Sequence, residues 1–216
     1  MQEDFSAWWA IGSTVTLPLV RMFFRVRVEG IDRVPARGPA ILAFNHVSVL
    51  DGPALAIETA VRRRREVRFL VAAEVFGHWF YGRVLRSFDQ IPIRRGEGDA
   101  RAVDTAIATV RAGAMAAIAP EGRVSDDPEE GLQRIRTGCA RIAIPTRAPV
   151  IPVGIWGTQR RWPATGPVWS RLWRRRRLAI VFGAAVHPQP DEDMTVFGER
   201  LGEALAAQVF RARALA

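Results

Sequence analysis

The stretch Pro39-Ala-Ile-Leu-Ala-Phe-Asn-His-Val-Ser-Val-Leu-Asp51 places a short apolar run directly before a polar loop and a helix start. The run 39–44 has the length and the uninterrupted apolar character of a buried strand. We predict that a helix begins near Asp51, which can cap it, with Pro53 in its first turn. His46 then lies at the carboxyl end of a strand, where open α/β sheets bind their ligands.

Strands and helices alternate outward from this stretch. Apolar or alternating runs predict strands at 25–29, 67–71, 88–93, 115–119, 150–153 and 178–182, and helical periodicity predicts helices at 74–85, 99–111, 132–144 and from about 194. Such interleaving is typical of an α/β domain with a parallel sheet. We therefore predict a single α/β domain over residues 25–216, with a mixed, largely parallel sheet flanked by helices.

Residues 1–24 form a separate N-terminal segment. The run from Phe5 to Val20 is uncharged, with Trp8 and Trp9 near one end. As a helix it would span roughly 24 Å, less than the ~30 Å hydrocarbon core of a bilayer. We predict a helix that lies in the membrane interface, the alternative being a core helix of a soluble protein. The expected location is the cytoplasmic face of the cell membrane, as a monotopic or peripheral protein.

The charge of the chain predicts a negatively charged partner. The net charge is +9, the pI is near 11.4, and all 31 basic residues are Arg, because the chain has no Lys. Anionic lipid, a phosphorylated cofactor and nucleic acid all fit this charge. Two clusters, Arg62–Arg65 and Arg171–Arg177, are either solvated faces or lipid contacts. No DNA- or RNA-binding motif accompanies them, so we expect anionic membrane lipid and no specific nucleic acid as partner.

The remaining histidines and the cysteine are expected to be structural. Cys139 is the only cysteine, which excludes an internal disulfide and a thiolate zinc cluster. It lies in an apolar helical stretch, so we predict a small core residue. His78 stands among aromatic residues and His187 precedes a proline. No metal site is predicted.

His46 and Asp51 are the candidate catalytic pair. On one continuous helix a separation of five positions would rotate their side chains about 140° apart, so they meet only if a turn intervenes. A neutral imidazole can take a proton from an attacking hydroxyl while a carboxylate on its other nitrogen fixes the tautomer. Ser48 is close enough to suggest a triad, but the chain lacks Gly-x-Ser-x-Gly, and we expect Ser48 to make loop hydrogen bonds.

A second stretch, Ile91-Pro-Ile-Arg-Arg-Gly-Glu-Gly98, follows a predicted strand and precedes a helix. Paired guanidiniums followed by glycines at a helix start suit a phosphate. A Rossmann loop is excluded because Arg101 stands in place of the third glycine, and a Walker loop because no Lys exists.

Two more stretches end or form apolar strands. Ala119-Pro-Glu-Gly-Arg-Val-Ser125 predicts a tight turn that presents Glu121 and Arg123 at the edge of the sheet. Pro149-Val-Ile-Pro-Val-Gly154 predicts a buried strand broken by Pro152, which we interpret as a wall of the site.

Together the four stretches resemble the glycerolipid acyltransferase family typified by 1-acylglycerol-3-phosphate acyltransferase. That family has Asn-His-x-x-x-x-Asp, Ile-x-Ile-x-Arg, Pro-Glu-Gly and Val-Ile-Pro-Val blocks in this order, and the resemblance covers roughly residues 26–157. It implies that His46 and Asp51 form the catalytic dyad. It further implies that Arg95 binds the acceptor phosphate, and that Glu121 and Gly122 belong to the acceptor site.

Two positions depart from the family pattern. The family continues Pro-Glu-Gly-Thr-Arg-Ser, whereas here Arg123 directly follows Gly122 and Val124 takes the usual Arg place. Either Arg123 binds the acceptor phosphate from a shifted position, or the phosphate is held differently. Asp89 stands where the second block commonly has glycine.

The resemblance implies transfer of a fatty acyl group from acyl-CoA or acyl carrier protein to the hydroxyl of a lysophospholipid such as 1-acylglycerol 3-phosphate. No cofactor is expected beyond this acyl thioester co-substrate. Two alternatives are a non-catalytic module that binds anionic lipid or nucleic acid, and a thioester hydrolase. The sequence identifies neither the oxyanion donor nor the oligomeric state.

Overall fold

Strand β2 (Ala40–Phe44) lies at the centre of a seven-stranded sheet, and all of its residues are buried. The computed structural model describes residues 5–94, 98–168 and 174–216. The strands are β1 (Phe24–Glu29), β2, β3 (Val67–Ala72), β4 (Ile91–Ile93), β5 (Met115–Ile118), β6 (Val150–Trp156) and β7 (Arg176–Phe182). The helices are α1 (Ala7–Phe23), α2 (Asp51–Arg63), α3 (Trp79–Ser87), α4 (Ala100–Arg111), α5 (Gly138–Thr146) and α6 (Met194–Leu215).

The sheet is largely parallel, as predicted. Its order is β1-β7-β6-β2-β5-β3-β4. The five strands from β6 to β4 are parallel to one another, and β7 is antiparallel to β6 and parallel to β1. The carboxyl ends of β2, β5 and β6 therefore meet at one edge. The loops after these strands carry the candidate site.

Alternating side chains of β2 supply both layers of the core. Leu42 and Phe44 pack with Leu55 of α2 on one face of the sheet. Ile41 packs on the other face with Ile142 of α5, in a cluster that also includes residues of α4 and α6. Burial on both faces explains why the central strands have continuous apolar sequences instead of an alternating pattern.

Three predicted elements differ in the structure. The helix predicted at 74–85 is a short 3-10 helix, Ala73–Gly77, followed by α3, because the His78 ring accepts hydrogen bonds from the first turn of α3 and starts a new helix. The strand predicted at 88–93 is only β4, since Gln90 N–H still bonds to Leu85 O and holds the chain in the turn that ends α3. The helix predicted at 99–111 is present as α4, with Asp99 as its N-cap.

The helix predicted at 132–144 begins only at Gly138, because hydrogen bonds to the loop after β5 hold the preceding residues in a non-helical path. Gln133 N–H donates to the Glu121 carboxylate and Arg136 N–H donates to Pro120 O. The prediction that Pro152 breaks its strand is also wrong. β6 continues through Pro152, which pairs with Ala43 of β2, and its carbonyl accepts a hydrogen bond from Gly183.

Helix α1 packs beside α2 and leaves one face uncovered. Its amino end is held by Ser6 N–H, which donates to Glu66, and its carboxyl end by Arg21, which pairs with the buried Glu58 carboxylate at 2.7 Å. The uncovered face consists of large apolar side chains: Trp8, Ile11, Val15, Leu19 and Met22. Within the described residues, no helix is both long and apolar enough to cross a bilayer. The membrane-interface role of residues 1–24 stays a prediction.

The predicted Arg62–Arg65 cluster divides into separate structural contacts. Arg65 is buried and donates to the carbonyls of Pro35 and Gly38, and Arg62 pairs with Glu58 at 2.9 Å. These arginines therefore do not form one solvated face. The second cluster, Arg171–Arg177, begins at residues that lie outside the described part of the chain.

Candidate active site

The loop between β2 and α2 brings His46 and Asp51 together. Asp51 is the first residue of α2 and is fully buried, and its Oδ2 lies 3.0 Å from His46 Nδ1. A turn between His46 and Asp51, which their contact requires, is therefore present. Asp51 does not cap the helix as predicted, because Leu50 occupies that position and the carboxylate bonds to the loop instead.

The Asp51 carboxylate is held by four donors. Oδ2 accepts hydrogen bonds from His46 Nδ1 and from the backbone N–H groups of Val47 (2.8 Å) and Ser48 (2.7 Å). Oδ1 accepts a hydrogen bond from the Thr158 hydroxyl at 2.5 Å. With Nδ1–H directed at the carboxylate, the lone pair of the imidazole resides on Nε2. The arrangement orients His46 as a base.

Thr158 reaches Asp51 because the chain turns sharply after β6. Gly157 has φ of +112°, and a Cβ there would lie 2.1 Å from Arg177 O. Only glycine fits both this left-handed backbone and this close approach. The next residue, Thr158, is fully buried beneath the loop that carries His46. No sequence signal identified Thr158, because it lies 107 positions from its partner.

Asn45 joins the His46 loop to the neighbouring strand. Its side-chain amide donates to Ile155 O at 3.0 Å, and its oxygen accepts from Ile155 N–H at 2.7 Å. These two hydrogen bonds extend the pairing of β2 with β6 by one residue. Asn45 therefore fixes the position from which His46 extends.

Glu121 supports His46 from the other side. One oxygen of its carboxylate accepts the backbone N–H of His46 at 2.8 Å, and the other accepts Gln133 N–H at 3.3 Å. The side chain is buried, and this burial raises the pKa of the Glu121 carboxyl above its ordinary value, opposed by the two backbone hydrogen bonds. The observed contacts of Glu121 are with protein backbone, and its predicted acceptor role stays a prediction.

His46 opens into an apolar cavity of about 810 Å³. The cavity lies between α1, α2, α3 and the loop after β5. Its lining includes Trp9, Phe44, Ile57, Leu85, Phe88 and Ile118. Gly122 also lines the cavity, with φ of +77°, and its predicted role in the acceptor site stays a prediction. The volume is in the range of pockets that enclose a small ligand.

The arginines near the cavity match in part those that the sequence indicated. Arg123 pairs with Asp126 at 3.1 Å and bonds to Gln133, and it does not line the cavity. Arg94, Arg136 and Arg141 do line it. Arg136 lies across from Gly122, and a Cβ added at Gly122 would be 3.1 Å from Arg136 Nε. The predicted phosphate ligand Arg95 lies outside the described residues.

The other reactive side chains lie apart from this pair. Cys139 is buried in the core between α4, α5 and the sheet, and burial raises the pKa of its thiol to about 12. His78 caps α3, and His187 is exposed in a turn. Ser48 accepts a hydrogen bond from Leu50 N–H and is a loop residue, as predicted. The geometry therefore supports proton abstraction by His46 alone.

Comparison with known proteins places this geometry in a family. A family model described as Acyltransferase matches residues 25–156. Uncharacterised proteins of Mycobacterium tuberculosis and Mycobacterium bovis are each 30% identical over 191 residues, which is 82% of this chain and 49% of the relative. The chain thus spans about half the length of the curated relatives it matches.

Two further matches carry names. The chloroplastic 1-acyl-sn-glycerol-3-phosphate acyltransferase BAT2 of Brassica napus is 24% identical over 144 residues, 65% of this chain and 40% of that protein. The 1-acyl-sn-glycerophosphate acyltransferase PlsC of Thermotoga maritima superposes with a TM-score of 0.78 at 22% identity, covering 95% of this chain and 80% of that one. The structural likeness shows a shared fold. Because the family model spans more than half of the sequence and includes the His46 loop, the chain belongs to the acyltransferase family.

Proposed function

We propose that this protein transfers a fatty acyl group from acyl-CoA or acyl carrier protein to the hydroxyl of a lysophospholipid such as 1-acylglycerol 3-phosphate. The observation that carries the proposal is the His46 imidazole, oriented by a fully buried Asp51, at the wall of an apolar cavity. The names of the Brassica and Thermotoga proteins support the same acceptor class.

The proposed reaction needs no protein nucleophile. His46 Nε2 removes the proton from the acceptor hydroxyl as that oxygen attacks the thioester carbonyl. A C–O bond forms and the carbonyl oxygen becomes an oxyanion. The C–S bond then breaks, the ester is released, and the departing thiolate takes the proton from the imidazolium. Asp51 stabilises the imidazolium between the two steps.

The cavity is proposed to hold acyl chain. Its described lining consists mainly of apolar side chains from helices α1, α2 and α3 and from the strands next to His46. Burying a methylene group contributes about 0.8 kcal/mol, so an acyl chain gains binding free energy along the whole cavity. A purely polar substrate would gain nothing from such walls.

The acceptor phosphate is proposed to bind Arg136 and Arg141, which line the cavity together with Arg94. The role predicted for Arg95 stays a prediction. Arg136 and Arg141 line the cavity and make no ion pair within the described part of the chain. Guanidiniums bind phosphate through paired N–H groups. Arg136 stands opposite Gly122, and this chain departs from the family pattern at the residues that follow Gly122. In the proposed site, Arg136 takes the role of the arginine that the family has at the position of Val124.

The protein is proposed to act on the cytoplasmic face of the cell membrane. The uncovered apolar face of α1 and the net charge of +9 both favour contact with anionic lipid. Residues 1–24 supply this contact without crossing the bilayer.

The test is a transfer assay with purified protein in detergent. Products from a panel of acceptors (lysophosphatidate, glycerol 3-phosphate and larger lysolipids), each with acyl-CoA and acyl carrier protein, are identified by mass spectrometry. His46→Ala is expected to lower kcat about 10²- to 10⁴-fold. His187→Ala, an exposed histidine outside the cavity, is the matched control and keeps full activity.

Other outcomes would contradict the proposal. Release of free fatty acid at the same rate with and without acceptor would indicate a thioester hydrolase. Binding of vesicles or oligonucleotides without turnover of any acceptor would indicate a binding module. Full transfer by His46→Ala would show that another group is the base.

A further inference from the structure

Three consecutive aromatic side chains are exposed at the start of α3. Trp79, Phe80 and Tyr81 are 73%, 51% and 49% accessible to solvent. Val75 and Val84, on either side along the chain, are also exposed. Large aromatic residues are usually buried, and an exposed group of this size indicates an interaction surface. We call residues 75–84 the aromatic rim.

The aromatic rim continues into the cavity. Val75, Tyr81 and Val84 are exposed and at the same time line the cavity that His46 reaches. The cavity therefore opens at the surface of α3. Trp79 and Phe80 lie outside the lining, on the surface beside this opening.

The carboxyl end of α3, the helix that carries the rim at its start, adjoins the uncovered face of α1. Trp8 stacks on Phe88 at the end of α3, with ring centroids 5.7 Å apart, and Trp9 meets the same ring edge-on at 5.1 Å. Trp8 itself is half exposed and belongs to the apolar face of α1. Phe88 also lines the cavity, so the uncovered face of α1 meets the cavity wall at this ring.

The residue types of this surface fit a lipid bilayer. Trp and Tyr concentrate at the headgroup level of membranes, where an amphipathic ring meets both apolar and polar surroundings. Arg83, in the rim, and Arg64, which lies over the Phe5 ring before α1, are exposed and form no ion pair with a carboxylate in the described part of the chain. These cations complement anionic headgroups. A second protein copy would place like charges together.

We propose that the aromatic rim is a second membrane contact, which inserts beside the cavity mouth so that the acyl chain of a lipid enters directly from the bilayer. This inference rests on the proposed function in taking a membrane lipid as substrate. It does not require catalysis, because an inactive protein would insert in the same way. It differs from the contact proposed for α1, because the rim surrounds the opening itself.

The experiment measures binding to vesicles of phosphatidylcholine with phosphatidylglycerol, using His46→Ala protein as the parent so that no substrate is consumed. Trp79→Ala combined with Phe80→Ala is expected to lower the partition coefficient about tenfold or more, since two aromatic side chains no longer enter the interface. The matched control is Phe210→Ala on α6, which removes a side chain that is 77% exposed elsewhere. The control is expected to bind as the parent does.

A second readout follows Trp79 directly. Vesicles with brominated acyl chains quench the fluorescence of inserted tryptophans, and Trp79→Phe is expected to bind normally with less quenching. In the active protein, the double variant should lose turnover with vesicle-embedded acceptor and retain turnover with detergent-dispersed acceptor. Failure of the transfer assay alone would contradict the proposed function and leave the vesicle result intact.

Three results would overturn the inference. Unchanged vesicle binding by the double variant would show that the rim stays in water. An equal loss with Phe210→Ala would show that any exposed aromatic contributes non-specifically. A dimer in sedimentation that the double variant dissociates, with vesicle binding unchanged, would show that the rim binds a second copy of the chain.

Discussion

The His46 loop and the wall formed by α1 and α3 enclose the same cavity with opposite chemistry. In the loop, Asp51 is fully buried and accepts four hydrogen bonds, and Asn45 makes two hydrogen bonds to the backbone of Ile155. Glu121, from the loop after β5, accepts the backbone N–H groups of His46 and Gln133. The wall exposes apolar side chains along α1 and in the rim, and few polar contacts attach it to the rest of the chain.

The difference indicates two roles: the loop holds His46 in one orientation, and the wall gives substrate access to the cavity. A buried carboxylate must be fully hydrogen-bonded, because its own partners replace the lost water, and the same bonds hold His46 in one geometry. The wall has no such requirement, and its uncovered apolar surface is the one that we propose contacts membrane lipid. Changes in the loop should therefore reduce the chemical step, and changes in the wall should reduce stability or substrate capture.

The largest effect is expected for Asp51→Asn. An amide NH₂ in place of one oxygen would face N–H donors, and the imidazole tautomer would no longer be fixed. We expect kcat to fall about 10³- to 10⁴-fold with little change in KM. Steady-state kinetics with a saturating acceptor measures the change. A loss below tenfold would mean that Asp51 only supports the fold.

In the wall, Glu58→Gln tests how α1 is attached. Glu58 is fully buried between Arg21 of α1 and Arg62 of α2, and removing its charge leaves two guanidiniums without a carboxylate. We expect the free energy of unfolding to fall by about 2–3 kcal/mol, less than for a wholly buried pair, because both arginines remain partly hydrated. Chemical denaturation measures the change. A drop in kcat as large as that of Asp51→Asn would break the distinction between loop and wall.

Thr158→Val tests the hydrogen bond that Thr158 donates to Asp51, and a smaller effect is expected. Valine matches threonine in shape but leaves Asp51 Oδ1 without its donor. The lost hydrogen bond is expected to lower kcat roughly tenfold, and Thr158→Ser should restore most of it. The pH profile of kcat is a second measurement, because loss of a positioning contact changes the profile and loss of packing does not. Equal kinetics for valine and serine variants would rule out the positioning role.

The smallest effect is a pH dependence at Glu121. Because burial raises the pKa of this carboxyl in the folded state, the protonated form favours folding, and this contribution is present below the ordinary pKa and lost as pH rises through the raised value. Glu121→Gln removes this titration. The difference in unfolding free energy between the variant and the wild type should therefore grow over that interval, as measured by denaturation at a series of pH values. A difference that is independent of pH would contradict the pKa shift.

Much of the fold was predictable because the strands are short apolar runs bounded by polar loops. Seven strands were predicted and seven are present in the described residues, although β4 is shorter than predicted and β6 is not broken at Pro152. The largely parallel sheet and helices α2, α4 and α6 also agree with the sequence pattern. The errors occurred where distant contacts decided the local conformation. Gln133 and Arg136 lie in a loop because residues of the turn after β5 accept hydrogen bonds from their N–H groups. A helical periodicity read over neighbouring residues does not include these contacts.

The sequence by itself determined the strand–loop–helix unit that presents His46 and Asp51, since both residues belong to one contiguous stretch whose periodicity is local. Only the tertiary structure decided what surrounds this pair. Thr158, on the far side of β6, and Arg136, opposite Gly122, reach the site through packing of separate elements. The aromatic rim is equally a tertiary result. Exposure depends on which faces the sheet and helices leave uncovered, and no local pattern of residues records that.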